Sequence, residues 1–153
     1  MFKQLIIGSF ILFSGAAQAS PTVMALFSAI KDTGTEIALD LPIVCSNKQL
    51  MGIYQYQHDV IDRLTICVSN HNGDNEELRD TVLHEAVHVA QTCNENKPLF
   101  TPVSIVKAAD PETVLFLTDK YPKAQFVLEL EARVIARDQD EVFVTDLIKK
   151  HCS

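Results

Sequence analysis

The clearest hydrophobic pattern in the chain begins at Asp74. Leu78, Val82, Leu83, Ala86, Val87, Val89, Ala90 and Cys93 gather on one half of a helical wheel. The other half holds Glu77, Asp80, Thr81, His84, Glu85, His88, Gln91 and Thr92. Asp74 and Glu77 have the spacing of a capping box, just after the turn-like run Asn70-His71-Asn72-Gly73. The pattern predicts one long helix, held by the core along its apolar side and presenting its polar side to a cleft.

Other elements follow from the same reading. Residues 21–31 are apolar with Pro21 near the start and Gly34 beyond the end, which predicts a short helix. Residues 37–44 are apolar but contain Pro42, so they read as an extended or edge segment. Residues 52–57 and 63–68 alternate and are rich in aromatic and β-branched side chains. They predict two antiparallel strands around the turn at residues 58–62. A loop at residues 94–98 follows the long helix. Asp110 and Pro111 open a helix over residues 111–118, which Tyr121-Pro122 breaks. Residues 124–137 and 141–150 complete the helices. The expected fold class is α+β: a single small domain with a short hairpin packed on the long helix and on the helix at 124–137.

Composition narrows the picture. A chain of 153 residues, 47% hydrophobic, suits one domain. Its formal charge of −7 lacks the basic stripe that phosphate neutralisation requires, so nucleic acid is not an expected partner. Lys3, the apolar residues 5–13 and the small-x-small run Ala17-Gln18-Ala19 predict a signal peptide over residues 1–19. The domain would then be residues 20–153, exported to a periplasmic or extracellular space, monomeric, and not inserted in a membrane after cleavage. Export makes Cys45, Cys67, Cys93 and Cys152 candidates for two disulfides, with three possible pairings. Cys45 flanks the hairpin that contains Cys67. Cys93 ends the long helix, where Cys152 could staple the last helix to it. The expected pairs are Cys45–Cys67 and Cys93–Cys152.

The polar side of the long helix carries the chemistry. His84-Glu85-Ala86-Val87-His88 is a His-Glu-x-x-His sequence. Histidines four apart on a helix share a face and can meet one tetrahedral metal ion. Glu85, next to the first of them, can reach a metal-bound water and take its proton. A catalytic zinc needs a third protein ligand. His58, His71 and His151 fall in expected turns or at the C-terminus and read as solvated. Two carboxylates on the apolar segment 126–136 are better placed. Glu131 is surrounded on the wheel by Val127, Leu128, Val134 and Ile135, where a carboxylate needs a partner. Glu129 has Ala132 and Ala136 beside it, although Glu129, Arg133 and Arg137 could equally form a salt-bridge row.

His84-Glu85-x-x-His88 followed by Glu129-x-x-Ala132 on a later helix resembles the zincin metallopeptidases of the gluzincin type, whose third ligand is a glutamate. The resemblance spans the hairpin and the two helices, somewhat over half of residues 20–153. It implies a zincin-like domain with zinc held by His84, His88 and Glu129, Glu131 being the alternative, and Glu85 as general base. Arg133 stands where that family often has Asp or Asn. The implied activity is zinc-dependent hydrolysis of a peptide or protein, laid as an added strand along residues 63–69. Tyr121 is the nearest candidate for stabilising the oxyanion. The same chemistry would serve a zinc amidase acting on cell-wall material. A non-catalytic zincin-like binding or inhibitory module is the other reading, and an intact Glu85 argues against it.

Overall fold

In the computed structural model, which describes residues 20–153, Asp74 caps the longest helix among those residues, α3 (Asn75–Cys93). The Asp74 carboxylate accepts the backbone N–H groups of Glu76 and Glu77 at 3.0 and 2.9 Å, two of the donors that a helix start leaves unpaired. Gly73 precedes it at φ +86°, a left-handed turn that glycine adopts without strain. The reciprocal arm of the capping box is not made, because the Asp74 N–H donates to the His71 carbonyl at 2.9 Å. The expected signal segment, residues 1–19, lies outside the described residues.

Before α3 come α1 (Pro21–Asp32), β1 (Glu36–Leu39), α2 (Pro42–Cys45), β2 (Gly52–Gln57) and β3 (Ile61–Ile66). After it come α4 (Pro102–Ala108), α5 (Pro111–Lys120), α6 (Lys123–Asp138) and α7 (Glu141–His151). The fold is a single small α+β domain. Its sheet has the order β1–β3–β2, with β2 antiparallel and β1 parallel to β3. Gly52 lies opposite Ile66 and Glu36 opposite Arg63.

The core forms around α3. Leu83, Ala86, Val87 and Ala90 are fully buried and belong to one cluster with Leu26 and Ile30 of α1 and Leu64 and Ile66 of β3. Ala132 and Ala136 of α6 and Val144 and Ile148 of α7 complete it. Burying each large side chain stabilises the fold by roughly 1.5–3 kcal/mol. Alanines at 86, 90, 132 and 136 keep both helix surfaces low, so the carboxylates of α6 come within reach of the polar side of α3. The disulfides pair as expected: Cys45–Cys67 ties α2 to the end of β3, and Cys93–Cys152 ties the end of α3 to the end of α7.

Three local expectations need correction. Extended structure stops at Leu39, because Asp40 turns at φ 51° and Pro42, with its fixed φ, opens α2 instead of continuing a strand. Residues 63–69 are not a sheet edge: β3 is the central strand, flanked on both sides, and a 3₁₀ turn at Val68–His71 follows it. The edge beside α3 is β2. Finally, α4 was not expected from the pattern. Its seven residues are too few to display a period, although Thr101 caps it and Pro102 opens it.

Candidate metal centre

The polar side of α3 forms one wall of a cleft of about 1110 Å³. Thr81, His84, Glu85, His88 and Gln91 line it from α3, Gly52 and Tyr54 from β2, and Tyr121, Glu129 and Arg133 from the α5–α6 side. Gly52 of β2 packs directly against α3. A Cβ there would lie 2.7 Å from the Thr81 methyl and 3.2 Å from Glu85 Cγ.

Within the cleft, α3 and α6 bring three ligand atoms together. His84 Nε2 and His88 Nε2 are 3.1 Å apart. Glu129 Oε2 lies 3.4 Å from His84 Nε2, and its Oε1 lies 3.5 Å from His88 Nε2. A tetrahedral zinc with bonds of about 2.0–2.1 Å spaces its ligand atoms about 3.3 Å apart. The two imidazole nitrogens lie near that spacing and the Glu129 carboxylate faces both, one oxygen towards each, and two imidazoles with one carboxylate are a donor set that zinc accepts. Burial, reinforced by the neighbouring His84, pushes His88 down to about 4, so its ring is neutral at pH 7 as coordination requires. Burial of Glu129 acts to raise its pKa. The hydrogen bond from His84 and the charges of His88, His84 and Arg133 outweigh it and hold Glu129 below its usual value.

Glu85 is 9% exposed, and its Oε2 accepts the Tyr54 N–H at 2.8 Å. Burial raises its pKa, opposed by His84 and by the Tyr54 hydrogen bond. A carboxylate that holds a proton more readily than usual is suited to taking one up and giving it back. The Tyr54 contact also shows which way β2 faces. Met51 pairs with Cys67 through the Cys67 N–H at 2.8 Å. Ile53 and Gln55 therefore bond to β3, while the backbone groups of Gly52, Tyr54 and Tyr56 face away from it.

A family model described as Domain of unknown function (DUF8637) matches residues 10–153. The chain belongs to this family. No curated protein and no solved structure matches it.

The DUF8637 chain separates its two candidate carboxylates cleanly. Glu129 faces the histidines. Glu131 is fully buried and accepts three hydrogen bonds, from Leu99 N–H, Phe100 N–H and the Gln91 amide. The partner its apolar setting demanded is a set of amide donors. No salt-bridge row forms on α6: Arg137 pairs with Asp110 and Asp138. Arg133 extends over the Phe116 ring, its Cζ 5.7 Å from the ring centroid. Tyr121 lines the cleft, and its pKa is raised by burial and by the nearby Glu129.

The remaining histidines lie apart from the centre. His58 is exposed and paired with Asp59, and His151 ends α7. His71 corrects the expectation of a solvated turn. It is 3% exposed, with Nδ1 2.9 Å from the Cys67 carbonyl and Nε2 3.0 Å from Thr81 Oγ1. It fastens the end of β3 to the first half of α3. The sequence reading gave Gln91 no role. Its position three residues after His88, on the same helix face, was the available signal.

Proposed function

We propose that this DUF8637 protein is an exported zinc-dependent metallopeptidase of the zincin type, with a gluzincin-like ligand set. The observation that carries the proposal is the convergence of His84 Nε2 and His88 Nε2, 3.1 Å apart, on the Glu129 carboxylate, whose Oε2 lies 3.4 Å from the first and whose Oε1 lies 3.5 Å from the second. All three ligand atoms lie within 4.8 Å of one another.

In this reading His84, His88 and Glu129 hold the ion. When bound, zinc supplies Lewis acidity, lowering the pKa of a coordinated water to about 7 and polarising a substrate carbonyl. Glu85 takes the proton of the attacking water and returns it to the leaving amine. Its hydrogen bond to the Tyr54 N–H aims the carboxylate while leaving its second oxygen for this exchange. The outward backbone groups of Gly52 and Tyr56 and the carbonyl of Tyr54, whose N–H is held by Glu85, offer an extended peptide a strand partner beside Glu85. Tyr121, across the cleft, is the candidate donor to the developing oxyanion. Two disulfides suit an oxidising, exported location, and no helix among the described residues is long and apolar enough to cross a membrane.

Metal analysis of the purified 20–153 chain, together with cleavage of an unfolded protein substrate, tests the reading. One zinc per chain is expected, with hydrolysis that a chelator abolishes and added zinc restores. Protein that binds no zinc would refute the metal centre. Zinc-loaded protein that cleaves nothing across broad peptide libraries would leave the non-catalytic module as the better reading.

A further inference from the structure

The hydrogen bonds of Gln91 and Glu131 form a closed chain of donors and acceptors with only one solution. Gln91 Nε2 lies 3.0 Å from the Leu128 carbonyl and 2.8 Å from Glu131 Oε2. A carbonyl can only accept. Glu131 is itself fixed as an acceptor on both oxygens, by Leu99 N–H at 2.9 Å on Oε2 and Phe100 N–H at 2.8 Å on Oε1. The amide of Gln91 must therefore turn its NH₂ towards Leu128 and Glu131, and its oxygen towards His88. That oxygen lies 2.7 Å from His88 Nδ1. An oxygen with no hydrogen needs a donor, so the proton of neutral His88 belongs on Nδ1. The Nε2 lone pair is then left free, on the side facing His84 and Glu129.

We propose that Glu131 and Gln91 are positioning residues for the metal centre: a buried relay that fixes the tautomer and ring orientation of His88. This rests on the metal reading above and gives the second carboxylate of α6 its function. Glu129 would hold the ion directly, while Glu131 would act two hydrogen bonds away. The burial of the pair supports the assignment. Glu131 is 0% and Gln91 2% exposed, so a carboxyl and an amide side chain occupy space that apolar residues would fill at lower desolvation cost. The relay also has its far end in the backbone of Leu99 and Phe100, so the segment leading from α3 to α4 supports the orientation of His88.

Two measurements test this. The first is nitrogen-15 imidazole NMR of the metal-free wild type, which reads the tautomer directly. The relay requires His88 to carry its proton on Nδ1, and a predominant Nε2–H form would overturn the proposal. The second is zinc affinity, by competition with a chromophoric chelator, in Gln91→Leu and Glu131→Gln. Both variants should bind zinc about 10–100-fold more weakly, the usual effect of losing an outer-shell partner of a metal-bound histidine. Unchanged zinc affinity in folded variants, checked by circular dichroism, would sink the relay. Should either variant fail to fold, the wild-type tautomer alone decides. If the wild type binds no zinc, the metal reading fails, while the tautomer result still judges the relay separately.

Discussion

His84 and His88 lie one helical turn apart on α3, and their Nε2 atoms converge at 3.1 Å. On the proposed reading, replacing either by Ala removes one of three protein ligands, so tight zinc binding should be lost, as it should in Glu129→Ala. Ala at His58 or His151, both remote from the triad, should leave zinc binding intact. Equilibrium dialysis of the variants decides, and undiminished zinc in His84→Ala would end the zincin reading. Glu85 poses a different question, because it stands beside the proposed metal site without belonging to the proposed ligand set. Glu85→Gln keeps an oxygen to accept the Tyr54 N–H, now at 2.8 Å, while losing the basic carboxylate. The variant should fold, retain zinc and lose hydrolysis by at least about a hundredfold, the lower range for general-base catalysis. A turnover assay on zinc-loaded protein checks this, and full activity in the variant would remove Glu85 from the mechanism.

At the scale of elements, the contact that matters most is between β2 and α3. It is close because residue 52 has no side chain. A Cβ at Gly52 would lie 2.7 Å from Thr81 Cγ2 and 3.3 Å from Ile66 Cδ1. Gly52→Ala should therefore lift β2 from the helix, cost roughly 1–3 kcal/mol and loosen the Tyr54–Glu85 hydrogen bond. Adding Thr81→Ser removes the clashing methyl but keeps the hydroxyl that bonds His71. The double variant should regain much of the loss. Urea unfolding of the two single variants and the double variant measures this coupling, and strict additivity would show that the close approach is not the cause.

Across the whole molecule, two disulfides close loops of different length, with sequence separations of 22 and 59. The chain-entropy estimate gives about 3 kcal/mol for the shorter and about 4 kcal/mol for the longer. Replacing both Cys93 and Cys152 by Ser should therefore destabilise the domain more than replacing Cys45 and Cys67. The three proposed zinc ligands involve neither pair, so zinc stoichiometry should survive below the lowered melting temperature. Calorimetry of both double variants, with and without zinc, gives the comparison. Equal losses would mean that residual structure or native-state strain, rather than loop length, governs the effect.

Much of this was legible in the sequence because it depends on local physics. The apolar period fixed α3 as a helix, Asp74 fixed its start, and a separation of four placed both histidines on one face. Other outcomes depended on which surfaces meet. A wheel gives the angle of a residue about its own helix axis, but not which neighbour lies at that angle. Glu129 and Glu131 are about 200° apart on α6, and only the packing of Ala132 and Ala136 against α3 turns the first towards the histidines and the second towards Gln91 and the amides of Leu99 and Phe100. The sheet follows the same rule. Alternation marked β2 and β3 as strands, but β1 covers the far side of β3 through a parallel pairing that no local pattern encodes. That pairing made β3 central and left β2 as the edge beside Glu85. His71 shows the same limit, since a turn residue is solvated only if nothing folds over it, and here Thr81 of α3 does.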